Sequence, residues 1–340
     1  MLSSSSQVRD QEVTQKMREQ LAQGLLKGKT GGNVRSLEIT AGAEGALLTL
    51  IDKMTMRGDV VIVERLTSRA ALQAFRREGL QIVVVASDRH GMDAEALTTA
   101  LYRYRPKFVY VNWSCSDPEG VAWSTERKHV IRHRCHEAGI ALVTDDRQEM
   151  LLYDSAPYSE QKRVEPGVIS IGQLPPGIIS GTRVGWLVSA TDGYKQDPVI
   201  PSNPLIPSLS EIEQQALSHL LTEQPLEPLV ELFRIQCKER MRKITELLKQ
   251  KCMPDFVWTT PRGGLNLWVV LPSGLDGEAL LRGAWLKGLL FQPGGPFYAS
   301  DPLRNTVRLT YAFADERQMK LGVSRLMDSI EEFTGRWSIS

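Results

Sequence analysis

The densest run of chemistry-bearing side chains lies between Glu126 and Glu137, where His129, His133 and His136 fall at i, i+4 and i+7 with Cys135 alongside. Imidazoles at that spacing share one helix face and can hold zinc. No HExxH pattern and no convergent carboxylate joins them, and Arg127, Lys128, Arg132 and Arg134 make the same stretch basic, which repels a dication. A solvated helix face without a metal is the expectation. The basic residues also suit a phosphate backbone, but no aromatic side chains are interleaved for base stacking, and Glu126 and Glu137 dilute the charge. No direct nucleic-acid binding is expected. Asp145 and Asp146 close an apolar run, at the strand end where open α/β sheets place their ligands, and Trp113 ends an earlier run in the same way. Asp146 is a candidate acid or base. Trp113 reads either as pocket wall or as packed core. Gly263-Gly264 and Pro293-Gly294-Gly295-Pro296 read as tight turns rather than phosphate cradles.

The elements that must hold these residues follow from periodicity. Val13, Met17, Leu21 and Leu25 recur every four positions, so an amphipathic helix is predicted up to the breaker Gly31-Gly32-Asn33. After it, β-branched runs alternate with helical segments: a strand at 60–63, a helix at 68–78, a strand at 82–85, a helix at 93–104, a strand at 108–111, a helix at 124–138 and a strand at 140–143. That alternation predicts an α/β fold, a mostly parallel sheet with helices on both faces. Prolines 198, 201, 204 and 207 mark a linker, followed by one long helix from Ser210 to about Lys251. Strands at 265–271 and 307–311 with helices at 277–288 and 316–333 complete a smaller α+β unit. The expected division is 1–32 as an N-terminal helix, 33–209 as the large domain, and 210–340 as an interdomain helix with the small domain.

The 340 residues are 42% hydrophobic and 24% charged, with 41 basic against 40 acidic side chains, which excludes disordered, fibrous and membrane-spanning classes. A net charge of +1 gives no bulk attraction to nucleic acid or an anionic membrane. Cys115, Cys135, Cys237 and Cys252 fit no metal or redox spacing and are expected as reduced thiols. No apolar run approaches the roughly 18–20 residues needed to span a bilayer, and Met1 to Ser6 carry no signal-peptide pattern, so the expected location is cytoplasmic.

A set of segments in fixed order then carries a resemblance. Ile39-Thr40-Ala41-Gly42-Ala43-Glu44-Gly45, Gly58-Asp59-Val60-Val61-Ile62-Val63-Glu64, Leu72-Gln73-Ala74-Phe75, Asp117-Pro118-Glu119-Gly120, Thr144-Asp145-Asp146, Gly181-Thr182-Arg183-Val184-Gly185-Trp186 and Val307-Arg308-Leu309 resemble those of fold-type I pyridoxal-phosphate aminotransferases. They are most similar to the aminotransferase-type domain of MocR/GntR-family regulators, without the winged-helix domain of those proteins and without the N-terminal stretch that helps close the enzymes' site. The resemblance implies a seven-stranded, mostly parallel large domain, a small α+β C-terminal domain and a homodimer. It also implies that Asp145 pairs with the pyridine nitrogen, Arg183 binds the phosphate, and Arg308 grips a substrate carboxylate in a bidentate pair.

The family's chemistry needs a lysine for a Schiff base with the cofactor aldehyde. Its place, seven residues before Arg183, is Pro176 here, and no lysine occurs between Arg163 and Lys195. Ala43-Glu44 replaces the hydroxyl at the phosphate-binding helix start, Ser68 the stacking aromatic, Asp117 the asparagine at the phenolic oxygen, and Gln148 the tyrosine after the pyridine aspartate. Glu44 is expected to pair with Arg183 in the vacated phosphate place. The implied function is a degenerate aminotransferase-like protein acting in binding, regulation or as a scaffold, for an amino-acid-like carboxylate ligand. No covalent cofactor is expected, while non-covalent pyridoxal or pyridoxamine phosphate stays open. The rival is a lysine-free enzyme of amino-acid-derived metabolite biosynthesis, with Asp117 or Asp146 as acid or base.

Overall fold

A computed structural model describes residues 14–155, 163–179, 181–190, 203, 205–251 and 253–337. Helix α1 (14–23) leads through a turn into the single turn α2 (Lys27–Thr30). Then come β1 (Leu37–Ala41), α3 (Gly42–Met54), β2 (Val60–Glu64), α4 (Arg69–Arg77), β3 (Gln81–Val85), the short pair β4 (Ser87–Asp88) and β5 (Gly91–Met92), α5 (Ala94–Tyr104), β6 (Phe108–Val111), α6 (Thr125–Glu137), β7 (Ala141–Asp145), β8 (Val168–Gln173) and β9 (Val184–Ser189). Local chemistry starts the helices: the Asp93 carboxylate accepts the Ala96 amide at 2.7 Å before α5, and the Ser124 hydroxyl accepts the Arg127 amide at 3.1 Å before α6.

Seven strands form one sheet in the order β1-β9-β8-β7-β6-β2-β3. Only β9 runs against its neighbours β1 and β8; the other pairings are parallel. The α/β fold with a mostly parallel seven-stranded sheet is therefore present. Its strands are buried on both faces: Val61 and Val63 point with Phe108 and Tyr110 into a core completed by Leu47 and Leu50 of α3 and Phe75 of α4. Ile62, Val109 and Leu142 point the other way, toward Leu21 of α1, Leu97 of α5 and Ile131 of α6. The period-two alternation within each strand supplies both faces at once.

The segment read as one helix after Ser210 is two, α7 (Glu211–Glu223) and α8 (Glu227–Gln250). The break falls at Pro225, which has no N–H to donate, and the preceding Gln224 is extended at φ −154°. Helix α7 lies on α1, where Gln20 and Ser218 exchange hydrogen bonds. Helix α8 gives Val230 to the large-sheet core and Ile244 and Leu248 to a second core. That second core lines a four-stranded antiparallel sheet, β10 (Val257–Trp258), β11 (Asn266–Val270), β13 (Thr306–Thr310) and β12 (Gln292–Pro293) in that order, closed by α9 (Gly277–Leu286) and α10 (Glu316–Trp337). Most of the proline linker, with Pro198, Pro201 and Pro204, lies outside the described residues, as does Cys252. Among the described residues no helix is long and apolar enough to cross a membrane.

Candidate functional site

Strand β7 delivers Asp145 to its C-terminal end, where the side chain has no exposed surface. The carboxylate is already bonded. Arg147, two residues on, donates its Nε at 2.8 Å to Oδ1 and its Nη2 to Oδ2, and the Tyr110 hydroxyl from β6 donates to Oδ2 as well. Burial alone would lower the Arg147 pKa, but the adjacent Asp145 outweighs it and holds the guanidinium above its ordinary value. Burial first, and the Asp145 charge second, push the Tyr110 phenol well up, so it stays a donor.

Asp146 faces a different neighbourhood. It accepts from Ser114 at 3.0 Å, Thr144 at 2.8 Å and Ser170 at 2.7 Å, with the Lys29 ammonium 3.7 Å away. Lys29 comes from α2 and also meets Glu149 at 2.7 Å. Burial by itself would raise the Asp146 pKa; Lys29, the Ser170 and Thr144 hydroxyls and Lys128 overcome that and hold the carboxyl below the usual range. Glu149 is raised by burial despite Lys29. This candidate acid or base is thus an ionised, fully bonded anchor of the N-terminal segment.

Asp117, the other candidate acid or base, pairs with Arg308 of β13. Both side chains are mostly buried, and the Arg308 guanidinium lies 4.6 Å from the Phe297 ring centroid. The guanidinium expected to hold a ligand carboxylate therefore holds one from its own chain, although its Nε has no hydrogen-bond partner among the described residues. Ser68, just before α4, is buried with its hydroxyl likewise without a partner there. Gln148 is buried against the turn at Gly264, where φ of +83° favours glycine and a Cβ would come within 2.0 Å of the Gln148 Oε1.

A cleft of about 210 Å³ opens where β1 passes into α3, walled by Gly42, Glu44, Arg147, Gln173, Pro176 and Arg183 among others. Gly185 lets β9 approach α3 this closely, since a Cβ there would lie 2.2 Å from the Gly42 backbone. The Gln173 side chain accepts the Ala43 amide at 3.2 Å, and Glu44 and Arg183 meet at 3.7 Å with side chains 60% and 80% exposed. Of the residues named from sequence, the cleft gathers Glu44, Pro176 and Arg183; Asp145 sits behind Arg147, and Ser68, Asp117, Asp146, Gln148 and Arg308 are not in its wall. Among the described residues no lysine lines it. Sequence reasoning missed Arg147 and Lys29. A cation two positions after a retained aspartate was the one visible signal for the former, and nothing local marks the latter.

The remaining constellations resolve into local contacts. His129 bonds Arg132 at 2.8 Å, His133 meets Glu137 at 3.3 Å, and no cluster suited to a metal occurs among the described residues. Trp113 packs edge-on against Trp123 with ring centroids 6.3 Å apart.

With this geometry in place, the chain can be set beside known proteins. It is 29% identical over 294 residues to a 2-aminoadipate transaminase of Thermus thermophilus, covering 85% of this chain and 73% of that protein. The crystal structure of LysN, the alpha-aminoadipate aminotransferase of Thermus thermophilus complexed with N-(5'-phosphopyridoxyl)-L-leucine, superposes with a TM-score of 0.79 at 27% identity, over 94% of this chain and 82% of that one. An uncharacterized HTH-type transcriptional regulator of Bacillus subtilis, YdfD, is 24% identical over 303 residues, spanning 88% of this chain but 62% of the regulator. The family described as aminotransferase class I and II matches residues 3–326, and the chain belongs to that family.

Proposed function

We propose that this aminotransferase-family protein has given up Schiff-base chemistry and acts as a binding, regulatory or scaffold protein, as a homodimer. The observation that carries this is Pro176, which stands in the wall of the cleft where the family resemblance calls for the lysine, with no lysine lining it among the described residues. Proline has no amine to condense with an aldehyde and none to shuttle a proton. The site does not fit a pyridine cofactor on a second count, because the carboxylate that would meet the ring nitrogen is bonded to Arg147 and Tyr110. Asp117, paired with Arg308, and Asp146, bound by three hydroxyls and near Lys29, are both engaged within the chain and stand outside the cleft wall.

The test is incubation with pyridoxal phosphate followed by borohydride reduction and mass spectrometry. The expected result is no stoichiometric adduct on any one lysine and no amino transfer to a keto acid. A single fully modified lysine, or turnover of aminoadipate like that of the named Thermus thermophilus enzyme, would overturn the proposal. Light scattering giving one chain mass instead of two would remove the dimer.

A further inference from the structure

We infer that Arg147 is a built-in ligand of the site: its guanidinium occupies Asp145 in the place the family resemblance gives to a protonated pyridine nitrogen, and so excludes pyridine vitamers even without a covalent bond. The inference rests on the function proposed above and goes further, since a lysine-free site could still hold such a molecule loosely.

An ionised carboxylate offers about four lone-pair positions. On Asp145 they are taken by the Arg147 amide at 3.3 Å and Nε at 2.8 Å on Oδ1, and by Arg147 Nη2 and the Tyr110 hydroxyl on Oδ2. An incoming ring N–H must therefore displace a charge-assisted bond rather than find a free acceptor. Arg147 also forms part of the cleft wall, so a protonated ring entering there meets a cation of its own sign. Swinging the guanidinium aside would strand a carboxylate that has no exposure at all. The pattern repeats at the other two charged positions, where Glu44 faces Arg183 and Asp117 faces Arg308. Each charge expected to contact cofactor or substrate has an opposite charge supplied by the chain itself.

The experiment is a calorimetric titration of the full-length protein with pyridoxamine phosphate, whose amine cannot condense with a lysine, in the wild type, Arg147→Ala and Arg147→Gln. The alanine variant frees the positions Arg147 holds on Asp145 and leaves Tyr110 in place; the glutamine variant removes the cation that a protonated ring would meet and serves if the alanine variant fails to fold. The expected outcome is no saturable binding by the wild type and a gain of at least about tenfold in affinity in a folded variant. Saturable wild-type binding as tight as in the variants overturns the inference while leaving the proposed function intact if no lysine adduct forms. A folded variant without any gain overturns it as well. A lysine adduct in the wild type would instead bring down the functional proposal on which it rests.

Discussion

Truncating Arg147 removes the counterion of a carboxylate with zero exposure, and such a loss typically costs about 3–5 kcal/mol. Arg147→Ala is expected to lower the denaturant midpoint accordingly. The double variant Asp145→Asn/Arg147→Met, which removes both charges, is expected to recover most of the loss; equal destabilisation of the two would show that the ion pair is not what matters. Glu44→Ala should shift the midpoint by no more than about 1 kcal/mol, because that pair is exposed to solvent. A different carboxyl contributes a pH response. Glu64, at the end of β2, is pushed up to about 8 from 4.5 by burial and by nearby Glu119, against the bonds from Ser87 and Trp123 that favour its charged form. Between those two values the folded chain holds a proton the unfolded chain has lost, so this group's stabilisation is complete below 4.5 and disappears as the pH climbs to 8. Thermal midpoints should fall across that window, and Glu64→Gln should flatten the fall; an unchanged slope would refute the assignment. Individual identities such as Pro176 and Asp117 were legible in the sequence because each is a single letter out of place. Their partners were not, because the pairing of Asp117 with Arg308 spans 191 positions.

At the scale of elements, the alternation of strands and helices was legible wherever one residue type repeats, as in Val60 to Val63 and in the run ending at Asp145. Strands β8 and β9 were harder: Ile169 to Gln173 interleaves Ser170, whose hydroxyl bonds Asp146, and Gly172, which makes room for Trp186 across the sheet, and neither advertises a strand. The break between α7 and α8 was signalled by Pro225, whose effect the surrounding helix formers obscured. Close approach is the other element-scale fact with a measurable consequence. Gly185→Ala places a methyl against the start of α3, with backbone rather than a flexible side chain to yield. A loss of roughly 1–3 kcal/mol or more is expected, and a wild-type melting temperature would contradict it.

Across the whole molecule, α8 is the member common to both cores, with Val230 in one and Leu248 in the other. Unfolding of either sheet should therefore drag the other with it. A proline at exposed Glu239, near the middle of α8, costs about 3 kcal/mol locally and is expected to split one calorimetric transition into two; a transition that stays single would show that the sheets communicate by other contacts. The shared helix was not readable from the sequence, since no pattern in a sequence states which core a face will meet. The spacing of Asp145 and Arg147 has one more consequence. A site neutralised by a dissociable cation is stabilised by RT ln(1 + [L]/Kd), a quantity that rises and falls with supply. Here the cation is two residues along the same chain, so neutralisation is a first-order event that no dilution, dialysis or scarcity of small molecules can reverse.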